Sequence, residues 1–438
     1  MGRSDRSVTW ARACALLFSS VLALAACGGP PAEPTVTVEG RVEAALGLPM
    51  AGVLVRSQGN VTTTAADGSF TLADLTSPYT VSLSSDAPDP WMHVFEGLTT
   101  TAPTLVPHAG YFLPLAQPTA YQRTQVSGSL PDVVPAGTRM VVCVEGLAHD
   151  VFGCDTVEEG GNSYAFEATW AVAGDVEVRL HALLVRGDVD GRPIAYESYG
   201  TVDLTLTPGV PAVQVAPGGP GLATVDLNGT VAAAGGGTLA GTIVSVRVGP
   251  RLAMRVYVGA PAGGALELFR VPEFAADDCH VFAIAEFAAG RAFAWQVGAA
   301  ADGFAVVMPA PTQLLEPPDG VTDVTTETVF GAVGGPGGAR TFRWYPEVGQ
   351  VGPQVLLSTA SGSVKMPDPA DVGLPLPAAG AYRWSVIGTA VVDADGLALP
   401  NYAEVLNYIN FFLEGGGPGF SSDGTYVMRD PRSFTLAP

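Results

Sequence analysis

Short runs of β-branched and aromatic residues, broken by turn residues, recur from residue 35 to the C-terminus and limit the folds open to this chain. Residues 163–170 and 176–185 are clear examples, because such residues fit the pleated surface of a strand. The 54 glycines and 36 prolines supply turns and interrupt long helices. The sequence therefore predicts an all-β fold of tandem β-sandwiches.

Length and internal recurrence indicate four sandwich-sized units. A chain of 438 residues is long enough for about three or four domains. The glycine-centred strand pattern at residues 36–42 returns weakly at 126–130 and 225–231, and a repeat of about 100 residues suits one sandwich. We therefore predict four domains, named block 1 to block 4, at residues 35–115, 116–218, 219–310 and 311–438.

The N-terminus has the features of a secretory signal. Arg3, Arg6 and Arg12 precede an uncharged apolar run at residues 13–26. At about 1.5 Å per residue this run spans only about 21 Å, which is short of a hydrocarbon core of about 30 Å. We therefore predict that residues 1–26 form a signal peptide, and no later apolar run is long enough to span a membrane.

The end of that run, Leu24-Ala25-Ala26-Cys27, resembles the lipobox of bacterial lipoprotein precursors. The resemblance implies cleavage before Cys27 and acylation of its sulfur, often with a further acyl chain on the new amine, and stable anchoring needs more than one chain. Residues 27–34, rich in glycine and proline, are predicted to form a tether. The protein is then exported and anchored to the outer or cytoplasmic membrane, facing outward or the periplasm. An ordinary signal peptide with a cysteine near its end is the alternative.

Block 1 resembles the carboxypeptidase regulatory-like domain. The matching residues are Val38, Gly40, Val42, Pro49, Gly52, Val53, Asp67, Gly68, Phe70, Tyr79 and Val81. The resemblance implies a seven-stranded, transthyretin-like sandwich without catalytic residues of its own. Independently, Asp67-Gly68 between two strand-like runs predicts a tight hairpin.

Block 4 resembles a fibronectin type III-like domain. The resemblance implies that this block is an Ig-like β-sandwich. The matching motifs are Pro317-Pro318, Phe342-Arg343-Trp344, Tyr382-Arg383-Trp384-Ser385-Val386 and Phe434-Thr435-Leu436. A long insertion at residues 393–423 departs from that pattern. Its apolar residues recur at helical spacing over residues 402–413, which predicts a short amphipathic helix. Such an insertion either has a function or caps the open end of its own sandwich.

The cysteines indicate one disulfide. Cys143 and Cys154 are predicted to pair across a hairpin, because an oxidising envelope permits the bond and adjacent strands bring the two Cα atoms close. Cys279 is predicted to be a buried thiol. The Cys279-His280 pair has metal-binding side chains, but no second cluster has the spacing to complete a site.

Net charge limits the partners. Removal of residues 1–26 takes away three arginines and one aspartate, which leaves 18 basic against 41 acidic side chains, or −23. Such a chain repels nucleic acid phosphates. We interpret the excess of negative charge as a feature that keeps the protein soluble, and calcium binding is the alternative interpretation. Asp188 with Asp190, and Asp393 with Asp395, each place two carboxylates on a turn, where they are candidate calcium ligands or plain turn residues.

Catalytic motifs are missing from the sequence, which contains neither H-E-x-x-H, nor G-x-S-x-G, nor a Walker loop. We therefore predict a non-enzymatic, lipid-anchored array that binds or supports an envelope protein or polysaccharide. A carbohydrate-binding module is the first alternative, because Trp91 lies in loop-like sequence where an exposed ring would stack on a sugar. A hydrolase with an unrecognised site is the second.

Overall fold

The structure is a computed structural model, and about 63% of its described residues lie in strands and about 4% in helical turns, none as long as seven residues. The predicted all-β fold is confirmed. The described residues are 34–44, 48–86, 90–107, 122–170, 172–266, 269–298, 300–348, 350, 352–374, 379–390, 416–417 and 423–437. The signal peptide, Cys27 and the predicted helix at 402–413 lie outside these ranges.

Block 1 is a sandwich of two sheets. Its strands are β1 (Thr35–Ala44), β2 (Leu48–Pro49), β3 (Leu54–Ser57), β4 (Asn60–Thr63), β5 (Ser69–Thr76), β6 (Tyr79–Ser85), β7 (Trp91–Leu98) and β8 (Thr104–Leu105). One sheet contains β2, β1, β5 and β8, and the other runs in the order β4-β3-β6-β7. Val38 and Val42 point into the core, whereas Thr37, Glu39 and Arg41 are exposed, as strand alternation requires.

The turn at Asp67-Gly68 connects the two sheets of block 1, so the predicted hairpin is wrong. Strand β4 pairs with β3, whereas β5 pairs with β1 in the opposite sheet. The turn itself is tight, with a bond from the Ala65 N–H to the Ser69 carbonyl. Gly68 has a φ of +75°, and a Cβ there would lie 2.5 Å from the Val42 carbonyl oxygen, so only glycine fits.

Block 2 is a second sandwich. Its strands are β9 (Gln122–Ser129), β10 (Thr138–Gly146), β11 (Val151–Phe152), β12 (Cys154–Val157), β13 (Ser163–Trp170), β14 (Val176–Gly187), β15 (Pro193–Leu206) and β16 (Ala212–Val213). The sheets run β12-β10-β14-β15 and β11-β13-β9-β16. Residues such as Val142, Leu180 and Trp170 fill the space between them.

Block 3 has one broad sheet and two short ribbons. Its strands are β17 (Thr224–Leu227), β18 (Gly229–Ala233), β19 (Thr238–Gly249), β20 (Leu252–Gly259), β21 (Phe269–Pro272), β22 (Cys279–Phe287), β23 (Gly290–Gly298) and β24 (Phe304–Met308). The sheet runs β20-β19-β22-β23, while β17 pairs with β21 and β18 with β24. Single 3-10 turns occur at Ala262–Gly264, Glu273–Ala275 and Ala300–Asp302.

The core of block 3 is closed by block 2. One buried cluster combines block 3 residues such as Met254, Phe269 and Val281 with residues from the outer side of the β12-β10-β14-β15 sheet. The block 2 members are Val141, Cys143, Leu183, Val185 and Tyr196. These two blocks therefore share a hydrophobic core.

Block 4 contains the remaining strands and a 3-10 turn at Pro369–Val372. Its strands are β25 (Gln313–Glu316), β26 (Val321–Val324), β27 (Val329–Val333), β28 (Arg340–Pro346), β29 (Gln354–Thr359), β30 (Ser363–Lys365), β31 (Gly380–Thr389), β32 (Gly416–Gly417), β33 (Gly424–Arg429) and β34 (Arg432–Leu436). One sheet runs β25-β27-β30, and the other is built around β29-β28-β31. Trp344 and Trp384 are fully buried between them, as the sequence predicted.

One sheet of 15 strands joins blocks 1, 3 and 4. Strand β29 of block 4 pairs in parallel with β7 of block 1, and β33 pairs with both β23 of block 3 and β31 of block 4. Since block 2 packs on block 3, the spatial order of the blocks is 2–3–4–1. Blocks 1 and 2 are neighbours in sequence, but they lie at opposite ends of this series.

The shared core predicts different effects for two leucines on one strand. Leu183 on β14 faces block 3, whereas Leu180 faces the block 2 core, and both are 0% exposed. Each change to alanine should lower the free energy of unfolding by about 2–5 kcal/mol. Leu183→Ala should accelerate hydrogen exchange in β20 and β22, and Leu180→Ala in β9 and β13, as measured by mass spectrometry. Faster exchange confined to block 2 in Leu183→Ala would contradict a shared core.

Candidate functional site

Three polar side chains form a buried chain of hydrogen bonds where block 2 meets block 3. Glu145 on β10, His181 on β14 and Tyr199 on β15 lie on the sheet face that packs against block 3. The His181 ring places Nε2 3.1 Å from Glu145 Oε2 and Nδ1 2.9 Å from the Tyr199 hydroxyl. Glu145 is 2% exposed and His181 is 1% exposed. A buried carboxylate is tolerated only when such partners satisfy it.

Block 3 supplies the remaining partner of this carboxylate. The backbone N–H of Arg251 donates to Glu145 Oε1 at 2.8 Å, and the Arg251 guanidinium pairs with Asp150 at 2.7 Å. Gly249 lies directly against the carboxyl group, where a Cβ would come within 2.5 Å of its atoms. A glycine at this position lets the β19–β20 turn approach block 2 closely.

Burial and hydrogen bonding act in opposite directions on Glu145. Burial raises the pKa of Glu145, but the hydrogen bonds from His181 and the Arg251 N–H outweigh it, so the net pKa is lowered. The pKa of Tyr199 is raised by burial and by the negative charge of Glu145. This arrangement keeps an ionised carboxylate fixed between two blocks. Its groups could relay a proton, but the nearly complete burial of Glu145 and His181 excludes a substrate from them.

A small cleft of about 220 Å³ opens beside this interface. It is lined by Arg139, Thr156, Glu158, Gly191, Arg255, Tyr257 and Val258. Arg139 donates to the Gly191 carbonyl at 3.3 Å and to the Val256 carbonyl, so it links β10 to β20. Burial lowers the pKa of Arg139, while Glu158 partly offsets this shift. The arginine is therefore engaged in joining the two blocks.

A serine and a histidine meet at the interface of blocks 1 and 4. Nε2 of His93 on β7 lies 2.8 Å from Oγ of Ser358 on β29, and Ser358 Oγ lies 2.8 Å from Thr341 Oγ1. The His93 ring stacks on Phe95 with ring centroids 4.0 Å apart. All three polar side chains are 1% exposed or less, so the pair is sealed from solvent.

Sequence reasoning missed this pair, because its members are 265 residues apart. The only sequence signal is a polar residue between Met92 and Val94 in an apolar run. A buried polar group in such a run needs a partner, which a second strand with polar inward residues can supply.

Cys143 and Cys154 form a disulfide in the structure. The two residues are directly opposite each other on β10 and β12, with Cα atoms 4.1 Å apart. Since Cys143 also belongs to the core shared by blocks 2 and 3, the bond braces the sheet face on which block 3 packs.

The turn at Asp188 and Asp190 uses its carboxylates internally. Asp188 accepts bonds from the N–H groups of Asp190 and Arg192, both at 2.9 Å, and from Arg192 Nε at 2.7 Å. Asp190 pairs with Arg192 Nη2 at 2.7 Å. Across the described ranges, no three His, Cys, Asp or Glu side chains are grouped so as to hold a metal ion. This geometry favours the plain turn, while Asp393 and Asp395 lie outside the described residues.

Trp91 is not the exposed ring that the sequence predicted. It begins β7, is 3% exposed and packs in the block 1 core with Phe95. Pairing of β7 with β29 continues through Trp91, which is opposite Gln354, so this position is an interior strand position instead of a loop. The predicted exposure of Trp91, which motivated the carbohydrate-binding alternative, is therefore wrong.

Cys279 and His280 point to opposite faces of β22. Cys279 is a buried free thiol in the block 3 core, as predicted, and burial raises its pKa to about 12. His280 is also buried, but Nε2 of its ring lies 2.9 Å from Asp278 Oδ1. Adjacent strand residues diverge, so the two side chains do not form a joint metal site.

Comparisons with protein families and with curated proteins identify no relative of this chain, so the fold remains the main finding. No protein-family model matches the chain. Curated proteins likewise gave no match. Among the residues that the structure describes, no helix is long and apolar enough to cross a membrane. The likenesses of blocks 1 and 4 to known domains thus stay predictions from motif residues.

Replacing the buried carboxylate should weaken the interface of blocks 2 and 3 in a pH-dependent way. The folded-state pKa of Glu145 lies below its ordinary value of 4.5, so its stabilising effect is present above that pH and is lost as pH falls through the folded-state value. Glu145→Gln should lower the free energy of unfolding by about 1–3 kcal/mol at pH 7, with a smaller deficit in acid. Denaturant titrations at several pH values measure both effects.

Asp150→Asn is the matched control, because it removes a carboxylate of the same interface whose side chain is 44% exposed. An exposed ion pair contributes at most about 1 kcal/mol, so this variant should stay close to the unmodified protein. Equal deficits in the two variants, or a Glu145→Gln deficit independent of pH, would show that the buried carboxylate does not stabilise the interface as described.

Proposed function

We propose that the chain is a non-enzymatic, lipid-anchored protein of the bacterial cell envelope, whose fused sandwiches form a rigid array that binds or supports an envelope protein or polysaccharide. The observation that carries the proposal is the sharing of one sheet by blocks 1, 3 and 4 and of one core by blocks 2 and 3. Domains joined in this way hold a fixed geometry, whereas flexible linkers would let them move independently.

The polar clusters support a role without catalysis. A catalytic serine or histidine has to reach its substrate, yet His93 and Ser358 are both 0% exposed. Glu145 and His181 are similarly enclosed between blocks. In the proposed function these groups give each interface a specific hydrogen-bond pattern, which an apolar contact would not provide.

The block order gives the array a direction. If Cys27 carries the lipid, the eight residues to Thr35 reach at most about 28 Å, so block 1 stays close to the membrane surface. Block 2 then stands at the far end of the 2–3–4–1 series. The net charge of −23 in the processed chain argues against nucleic acid as the partner.

Lipid attachment can be tested on the full chain in a bacterial host. Cells fed an alkyne fatty acid should label the unmodified protein, and Cys27→Ser should remove the label and release the protein from the membrane fraction. Cys14→Ser is the matched control, because this cysteine lies within the predicted signal and should leave labelling unchanged. Equal labelling of the unmodified protein and Cys27→Ser, or no labelling at all, would reject the anchor.

The buried serine gives a second test. A fluorophosphonate probe, which reacts with activated serines, should leave Ser358 unlabelled in residues 28–438. Ser358→Ala should lower the free energy of unfolding by about 1–3 kcal/mol, because His93 and Thr341 lose a buried partner. Stoichiometric labelling at Ser358, or hydrolysis of an ester, peptide or glycan that this substitution abolishes, would replace the proposal with a hydrolase.

A further inference from the structure

The cleft of about 220 Å³ between blocks 2 and 3 contains two arginines, and we name it the arginine cleft. Its charged and hydroxyl-bearing residues are Arg139, Thr156 and Glu158 of block 2, and Arg255 and Tyr257 of block 3. The lining thus has two positive side chains and one negative, although the processed chain as a whole carries a charge of −23. Such a local excess of positive charge is unusual in an acidic protein.

Four other arginines near this interface pair with carboxylates. Arg186 pairs with Glu197, Arg192 with Asp188 and Asp190, Arg251 with Asp150, and Arg270 with Asp226. Arg139 instead donates to the backbone carbonyls of Gly191 and Val256. In the described part of the chain no carboxylate forms an ion pair with Arg139, and Glu158 acts on it only from a longer distance. The positive charge of Arg139 therefore has no carboxylate in contact there.

The two guanidinium groups of the arginine cleft are close enough to repel each other. Burial lowers the pKa of Arg255, and the positive charge of Arg139 lowers it further. Burial also lowers the pKa of Arg139, and Glu158 only partly offsets that shift. Both directions show that positive charge is costly at this position. Since a guanidinium stays protonated in proteins, an anion placed between the two groups would stabilise both.

The arginine cleft also has hydrogen-bond donors that the described residues do not use. A guanidinium carries five N–H groups, and Arg139 makes its carbonyl bonds through Nη1 and Nη2, which leaves the N–H of Nε. Within the described ranges, the hydroxyl groups of Thr156 and Tyr257 make no hydrogen bond, although Tyr257 is only 4% exposed. Gly259 leaves room beside the Tyr257 hydroxyl, because a Cβ there would lie 2.3 Å from its oxygen.

We propose that the arginine cleft binds an oxyanion, a carboxylate or phosphate group, between Arg139 of block 2 and Arg255 of block 3. Guanidinium groups bind either anion through paired N–H···O bonds, and the two hydroxyl groups supply further donors. Larger organic ligands need about 300–1,000 Å³, so the cleft suits one small charged group, such as a phosphate ion or a single sugar acid. Glu158 is exposed and repels the ligand, which limits the affinity.

The bound anion bridges the two blocks and adds to the contacts of their shared core. This role is independent of the lipid anchor, because every residue that forms the cleft lies in blocks 2 and 3. Failure of the anion site and failure of the proposed envelope location are therefore distinguished by separate measurements.

Calorimetric titration of residues 28–438 at low ionic strength tests the site directly. Inorganic phosphate or glucuronate should bind saturably with one site per chain, and glucose, which has no charge, should not bind. Binding of one anion alone would identify the preferred group. The bound anion should also raise the Tm above that in chloride of equal ionic strength, because a ligand of the folded state stabilises it. Absence of binding by both anions would overturn the proposal.

Three substitutions locate the binding. Arg255→Gln should weaken it about tenfold or more, which is the effect of losing a hydrogen bond to a charged group. Arg270→Gln is the matched control, because it removes the same charge from the same interface at a side chain that is 52% exposed and outside the cleft. Glu158→Gln should strengthen binding several-fold, because it removes the repelling carboxylate. Equal weakening by the two arginine variants would indicate attraction by general charge and refute the site.

Tyr257→Phe covers the case in which Arg255→Gln does not fold. It keeps the buried ring and removes only the hydroxyl group, so the protein should fold and bind the anion several-fold more weakly. Unchanged affinity in both Tyr257→Phe and Glu158→Gln would place the anion outside the arginine cleft and overturn the proposal.

Discussion

Backbone pairing between the edges of neighbouring sandwiches is the constraint on which the rest of this structure depends. An unpaired edge strand leaves a row of N–H and carbonyl groups that invites aggregation. Here β7 is completed by β29, and β23 by β33, so edges that would be exposed in separate domains become interior strands. Burial on both faces follows, which explains why Met92 and Val94 join the block 4 core while Trp91 and Phe95 stay in block 1.

Interior strands of this kind also explain where the polar side chains lie. A strand that belongs to two sandwiches has no solvent face, so each polar residue on it must find a partner inside the protein. His93 finds Ser358 across the new strand pair, and Glu145 finds His181 and the Arg251 N–H where block 3 closes over block 2. The His93–Ser358 and Glu145–His181 pairs contain side chains of the types found in catalytic sites. In this structure they form hydrogen bonds at the interfaces between blocks.

The sequence was informative wherever local pattern decides the outcome. Strand composition predicted β13 at its observed bounds, and Cys143 and Cys154 are paired as the hairpin spacing indicated. Local pattern failed where tertiary pairing decides. Asp67-Gly68 has the residues of a hairpin turn, yet the two strands that flank it belong to different sheets. The sequence around Trp91 is typical of a loop, but pairing with β29 makes this position part of a strand. The pair of His93 and Ser358 has no local signature, since only the non-sequential order of the blocks brings it together.

That order has a consequence for how the chain folds. Block 3 shares its core with block 2, and β33 cannot pair on both sides until blocks 3 and 4 have formed. Strand β7 of block 1 pairs with β29, which follows it by more than 250 residues in the chain. Contacts this distant in sequence are slow to form, because a long loop must close before any of them stabilises the fold. A chain with such a topology needs well-satisfied interfaces, and the buried hydrogen bonds between blocks meet that need by favouring one register of docking over its alternatives.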